Sequence, residues 1–436
     1  MSSHFFEILQ PLFHSLTTMS IPKPVTDVTP NKGGRPPTLS SSEIVAALVF
    51  HVLQGGGTFS RNLARVYNMQ FSDGTLSERR TSLGTAPWVQ AMGHFLSHLS
   101  DGDDAPSATW KGYRLVGVDG TTFNVGNTPT MKATATKTKT RRGEAAFYRI
   151  PSVVLVALSS HRPLAVEIGE KGESEGALAE RIVAVLAEDD ILIADRYYGS
   201  GKWVGRLEAA PSQPLYLLRV QERFGAVSVK RFPDGSKLVH VRDPDRESPI
   251  LVREIKAKVR RPGNRWTKVR FWTNLLNEKR FPALELVALY ALRWEQEIAF
   301  RELKEHIHSE IILSSHTLPT AVQEICALFM AQALVVSARV AIAAAKEIPV
   351  LQISFEKVLQ GCRMACWLWA MVGREMDPRT WKEIMNKVER EIEWQATKLR
   401  RKRTCSRKVR QPVRKWPRLM KTSYAKGPIE CKIRKS

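Results

Sequence analysis

Glu297 is the side chain whose neighbours in the sequence most clearly suggest chemistry. It lies in Ala288 to His306, Ala-Leu-Tyr-Ala-Leu-Arg-Trp-Glu-Gln-Glu-Ile-Ala-Phe-Arg-Glu-Leu-Lys-Glu-His, a stretch without Gly or Pro. Good helix formers fill most of it, which predicts a helix of about five turns. At roughly 100° per residue, Tyr290, Arg293, Glu297, Arg301 and Lys304 share a stripe about 80° wide. Leu289, Leu292, Ala299, Phe300 and Leu303 form an adjoining apolar face suited to a core, while Glu295, Glu302 and Glu305 fall elsewhere. One carboxylate alone among cations can ligate a metal while its neighbours grip phosphate oxygens. The ordinary alternative is a surface helix with internal ion pairs such as Glu297 with Arg301.

Two more acids stand where a rigid ligand would be useful. Tyr113 to Val118 has a buried-strand pattern and ends in Asp119-Gly120-Thr121-Thr122. By itself this reads as an Asp-Gly hairpin turn, yet a carboxylate at the end of an apolar strand is also held rigid and within reach. Strands Tyr148 to Leu158 and Pro163 to Ile168 and a helix from about Glu175 to Ala187 lead to Asp190-Ile-Leu-Ile-Ala-Asp195, again an acid at a strand's carboxyl end. Asp195 could simply cap a helix.

The pattern Tyr-x2-Arg-x3-Glu-x6-Lys, formed by Tyr290, Arg293, Glu297 and Lys304, resembles the signature of bacterial DDE transposases of the insertion-sequence-four group, relatives of the transposon-five transposase. Asp-Gly-Thr-Thr at Asp119 resembles that family's first catalytic acid. Asp195-Arg196-Tyr197 resembles its second, with Tyr197 where the family commonly has Gly. The resemblance implies an α/β, ribonuclease-H-like catalytic core interrupted by a β-rich insertion and flanked by helical regions. It implies that Asp119, Asp195 and Glu297 hold Mg²⁺ or Mn²⁺, two ions about 4 Å apart, for in-line displacement at phosphorus. It also implies that Tyr290, Arg293, Arg301, Lys304 and Arg196 contact DNA and that an insertion Trp, either Trp266 or Trp272, receives a flipped base. Terminal inverted repeats and target DNA are the implied partners, held in a synaptic homodimer.

Composition agrees with a polyanionic partner. The 436 residues carry 66 Lys and Arg against 43 Asp and Glu, a net +23, which fits nucleic acid or an anionic surface. The loop Asn127 to Gly143 interleaves Lys132, Lys137, Lys139, Arg141 and Arg142 with threonines and suits phosphate contacts. From Lys398 to Ser436 there are 16 basic residues and one acid, +15 of the total, with Arg414-Lys415-Trp416-Pro417-Arg418 inside it. Ile325 to Ala345 is long enough to cross a bilayer, but its Gln332, Ser337 and Arg339 favour a buried helix. Met1 to Pro22 does not read as a signal sequence. Five cysteines without metal-site spacing suit a reducing cytoplasm.

The expected domains are a helical DNA-binding region at 1–110, core segments at 111–211 and 266–345, the β insertion at 212–265, and a helical region with a basic tail at 346–436. Within the first, a basic linker at Asn31 to Pro37 precedes a capping box at Ser40 and Glu43. Phe59 to Tyr67 and Thr75 to Leu83, the second helix with Arg79-Arg80, could form a helix-turn-helix or an ordinary packing pair. An acidic break at Asp101 to Pro106 closes the region. Two other readings stay open: a transposase-derived DNA-binding protein that does not cut, and a metal-dependent structure-specific nuclease.

Overall fold

The computed structural model describes residues 39–100, 109–140, 143–260, 265–373, 376–396 and 430–433. The linker at Asn31 to Pro37, the acidic break at Asp101 to Pro106, Arg141, Arg142 and the basic tail apart from 430–433 lie outside the described residues.

The chain is mixed α/β with a large sheet. Helices α1 (Ser41–Gln54), α2 (Phe59–Tyr67), α3 (Asp73–Leu83) and α4 (Ala86–Ser100) come first, and then strand β1 (Tyr113–Val125). A short α5 (Pro129–Thr134) precedes β2 (Tyr148–Ala157) and β3 (Arg162–Ile168). Next come α6 (Glu175–Val183), β4 (Asp190–Ala194), α7 (Gly201–Ala209) and β5 (Leu215–Arg219). Strands β6 (Val227–Arg231), β7 (Lys237–Val241), β8 (Ile250–Arg260) and β9 (Thr267–Thr273) lead to α8 (Ala283–Leu289) and α9 (Trp294–Arg301). Helices α10 (Leu318–Ala345), α11 (Phe355–Leu368) and α12 (Pro378–Ala396) follow, with β10 (Glu430–Ile433) near the end.

Contacts divide the chain into two compact units. The first comprises Met1–Lys111, Val118–Ile182 and Glu295–Lys398. In it the second half of β1 borders β2, which pairs antiparallel with β3. The long α10 is buried nearly all round, 89% of its most apolar window lying inside the protein. That burial accounts for its composition without a bilayer. Ser40 and Glu43 form the expected capping box, while Thr58 caps α2 and Ser72 caps α3, which starts at Asp73, two residues before the expected Thr75.

The arginines of α3 favour the ordinary packing pair over the helix-turn-helix. Arg80 donates to Gln323 Oε1, to the Ser315 hydroxyl and to the Thr320 carbonyl, and Arg79 donates to the Leu39 carbonyl at 2.6 Å. These cations spend their donors on packing, because α3 lies against the start of α10, and are not presented as base readers.

The second unit comprises Gly112–Gly117, Val183–Trp294 and Leu399–Ser436. Here the first half of β1 borders β4, with Arg114 bidentate on Asp190 at 2.6 and 3.0 Å. Strand β4 runs parallel to β5, β5 pairs antiparallel with β9, and β8, β7 and β6 follow outward. The strands expected to form a separate insertion therefore extend one sheet, because the returning β9 lies between β5 and β8. Short β10 pairs with β8 beyond the end of β7, Ala257 opposite Ile433.

Gly199 marks a close approach in this unit: a Cβ there would collide with the Arg219 carbonyl oxygen. Gly199→Ala must push the chain after Asp195 away from β5. A loss of about 1–3 kcal/mol in urea unfolding is expected, and an unchanged midpoint at unchanged slope would contradict the packing.

Candidate active site

Asp119 does not end a strand. β1 continues through Asp119-Gly120 to Val125, with Thr121, Phe123 and Val125 buried on alternate positions. The Asp-Gly pair reads as a turn only when the period-two pattern after it is ignored. Asp119 Oδ1 accepts from the Gly120 N–H at 2.9 Å. A Cβ on Gly120 would meet the Glu175 carboxylate, so the absence of a side chain is what lets α6 begin there.

Asp195 lies just past the carboxyl end of β4, as its sequence context predicts. It caps a turn, not a helix: Oδ1 accepts from the Tyr197 N–H at 2.7 Å, while Ser200 is the N-cap of α7. Tyr197 has no positive φ, so the backbone here does not need the glycine common in the resembling family. Arg196 is exposed, and its carbonyl accepts from Gln221.

The segment carrying Glu297 differs most from expectation. In place of one regular helix, α8 ends at Leu289, a 3₁₀ turn spans Tyr290–Arg293, α9 spans Trp294–Arg301, and a π-helical stretch spans Glu302–His308. Neither Gly nor Pro marks these changes, so tertiary contacts override the local propensity. The single stripe is therefore divided. Tyr290 and Arg293 belong to the second unit with Asp195, whereas Glu297, Arg301 and Lys304 belong to the first with Asp119.

In the second unit, Tyr290 packs on Phe271 with ring centroids 4.7 Å apart. Burial holds its phenol pKa above the ordinary value, and the Asp195 charge adds to this against the opposing Arg293 and Arg219. A cavity of about 370 Å³ opens beside it, lined by Arg219, Arg260, Arg265, Arg293, Tyr290 and Trp294. Trp294 is 47% exposed. Four guanidinium-bearing residues and three aromatic rings, that of Phe271 included, suit an anionic, planar ligand. Arg219, Arg260 and Arg265 were not singled out in the sequence, because they come from separate segments distant from Tyr290, and Trp294, next to Arg293, falls outside the stripe of Tyr290 to Lys304.

The tryptophans expected for a flipped base separate clearly. Trp272 is a correction: it is 1% exposed, packed against Phe224, with its indole N–H toward Glu254, so no base can reach its face. Trp266 is partly exposed, with Arg260 and Lys432 over its ring at 4.7 and 5.5 Å.

In the first unit, Lys304 donates to the Thr122 carbonyl of β1 at 2.9 Å and sits over Phe123. Burial lowers its pKa, with Arg149 adding to the effect. Arg301 is exposed. Lys137 lies over the Tyr148 ring and 4.0 Å from Glu144, while Lys139 is in a two-residue strand. Among the described residues, no three His, Cys, Asp or Glu side chains converge in an arrangement that would hold a metal ion. The donors available at Asp119, Asp195 and Glu297 are all oxygens, the set that hard divalent cations prefer.

His161 escaped the sequence reading. It is 1% exposed, in the turn between β2 and β3, and its ring nitrogens face two carboxylates: Nε2 to Glu295 at 2.9 Å and Nδ1 to Glu302 at 2.7 Å. Burial alone would lower its pKa, but the two carboxylates outweigh that and raise it. Arg339 of α10 also meets Glu302 at 3.4 Å.

In the first unit Asp119 lies within β1 and Glu297 in α9; in the second, Asp195 follows β4, and a buried tyrosine and four arginines line a cavity. The family model described as "Transposase DDE domain" matches residues 110–334, just over half of the chain, and the chain belongs to that family. It is 25% identical over 235 residues to the transposase InsG for insertion sequence element IS4 of Escherichia coli (strain K12). That alignment covers 53% of this chain and 53% of the relative, so the match spans about half of the relative's length. A cryo-EM structure of the piggyBac transposase synaptic complex with hairpin DNA aligns over 89% of this chain and 83% of that one, with TM-score 0.43 and 12% identity.

Two outcomes follow. A protonated His161 between carboxylates stabilises the fold fully below its unfolded pKa of roughly 6.5, and this stabilisation is lost as pH rises through the higher folded pKa. The stability difference between wild type and His161→Asn, measured by urea unfolding, should therefore be largest below about pH 6.5 and shrink above it; a difference that grows with pH would contradict the assignment. Trp272→Ala should cost about 3–5 kcal/mol, whereas Trp266→Ala should leave the unfolding midpoint nearly unchanged.

Proposed function

We propose that this chain is a DNA transposase that binds terminal inverted repeats, hydrolyses the phosphodiesters at the element ends and transfers the 3′-hydroxyls into target DNA as a homodimer. The observation that carries the reading is the family match over residues 110–334, which contains Asp119, Asp195 and Glu297. Strand order supports a ribonuclease-H-like core: β3-β2-β1 in the first unit and β1-β4-β5 in the second, with β4 and β5 parallel. An acid falls within β1 and another just after β4.

On this reading Asp119, Asp195 and Glu297 hold divalent cations, Mg²⁺ or Mn²⁺. Bound there, such ions activate the attacking hydroxyl and neutralise charge on the leaving oxygen. The protein's own side chains do the rest. Arg293 and Tyr290, which line the second unit's cavity, bind and orient strand phosphate, and the exposed Arg196 in that unit and Arg301 in the first offer further cations to it. Trp266, cradled by cations, offers a ring face to a base; Lys132, Lys137, Lys139, Arg141 and Arg142 serve the flanking duplex by charge. Lys304 is turned toward the Thr122 carbonyl and must leave it to reach a phosphate. The net +23 supplies sequence-independent attraction to DNA in a cytoplasmic setting.

Linear DNA ending in any inverted repeats that flank the gene tests the reading. Wild type with Mn²⁺ should release cleaved ends and join them to a plasmid, and Glu297→Gln should bind the repeats equally but form no products. Specific binding with no products from wild type would instead support a non-cutting DNA-binding protein. Cleavage without joining or end preference would support a structure-specific nuclease.

A further inference from the structure

Three contacts in the first unit converge on the segment that carries Glu297. His161 binds Glu295 and Glu302, which lie seven residues apart on either side of Glu297. Gln296, fully buried, donates to the Val154 carbonyl of β2, and Lys304 donates to the Thr122 carbonyl, three residues beyond Asp119 in β1. Glu302 opens the π-helical stretch, where the helix is widened by one residue per turn, and it is 3% exposed. A buried carboxylate at a helical irregularity needs a partner to be tolerated, and here the partners are His161 and Arg339.

The turn itself does not require an imidazole. His161 has φ of +69°, a conformation that Asn and Gly adopt readily, and its backbone N–H already closes the turn onto the Ala157 carbonyl at 2.8 Å. The ring is explained by the two carboxylates it joins.

We propose that His161 is a positioning residue for Glu297: by clamping Glu295 and Glu302 it fixes the rotation of the helical segment and so the direction in which the Glu297 carboxylate is presented. The inference rests on Glu297 being a metal ligand, and it adds an outer-shell residue drawn from the β2–β3 turn. Two anchors two helical turns apart set rotation better than one, because a single contact leaves the segment free to pivot about it. Loss of such outer-shell support elsewhere weakens metal binding or activity by about 10- to 100-fold.

The experiment compares wild type, His161→Asn and Glu297→Gln, with folding followed by circular dichroism. Mn²⁺ affinity is measured by electron paramagnetic resonance without DNA, and the Mn²⁺ requirement for end cleavage is measured separately. His161→Asn should fold, bind repeat DNA as wild type does, bind Mn²⁺ at least about tenfold more weakly and need correspondingly more Mn²⁺ to cleave. A merely structural role would lower the fraction of active protein without moving either Mn²⁺ midpoint, and unchanged midpoints overturn the proposal. If His161→Asn does not fold, Glu295→Gln, which leaves Glu302 with both of its partners, takes its place under the same criteria. Wild type that binds Mn²⁺ but does not cleave DNA would sink the transposase reading, and the Mn²⁺ affinities would still judge His161. Wild type that binds no Mn²⁺ would overturn both.

Discussion

The first unit depends on one constraint: α10 is buried almost all round, so every polar group it carries must find a partner inside the protein. Those partners turn out to be the neighbouring segments. Gln323 donates to the carbonyls of Arg80 and Gly84 and so holds the end of α3. Glu324 accepts from the backbone of Ser314 and Ser315, and Gln332 donates to the Ala299 carbonyl of α9. Arg339 donates to the Ile353 carbonyl and meets Glu302. An apolar helix with a few well-spent polar residues thereby fixes both the N-terminal helices and the Glu297 segment. Leaving any one of these groups unpaired would cost about 1–3 kcal/mol, which is a large incentive to keep the register.

The Glu297 segment is held from outside within the first unit: Gln332 donates to the Ala299 carbonyl, His161 meets Glu302 and Lys304 donates to the Thr122 carbonyl. The chain adopts a 3₁₀ turn before α9 and a π-helical stretch after it. Such departures are tolerated where packing over-determines the backbone, and they often accompany function. In the second unit the counterpart is the sheet itself, where the buried Arg253 ties β8 to Asp234, Ser236 and the carbonyls of Leu275 and Phe281.

Much of the element order could be read from the sequence, because β2, β4 and α10 are marked by long apolar runs and the capping box of Ser40 and Glu43 is explicit. What failed was non-local. The Asp-Gly pair at Asp119 looks like a turn unless the strand partners that carry β1 onward are known. Strands between Asp195 and Glu297 look like an insertion until β9 is seen to pair on both sides. Trp266 and Trp272 look alike in sequence, and burial alone distinguishes them. Of the candidate site, the acids and the Tyr290 to Lys304 spacing are local and legible. The arginines lining the second unit's cavity and the His161 clamp are assembled by folding from distant positions, so no spacing announces them.

The proposed transposase chemistry requires that Asp119, Asp195 and Glu297 hold divalent cations together when DNA is bound. Iron-directed backbone cleavage tests it most directly: Fe²⁺ replaces Mg²⁺ in the protein bound to repeat DNA, ascorbate and peroxide are added, and the polypeptide fragments are mapped. Cuts are expected near all three residues, all suppressed by excess Mg²⁺ and all lost in Asp195→Asn. Cuts near Asp119 and Glu297 that persist undiminished in Asp195→Asn, or no cuts near any of the three, would contradict it.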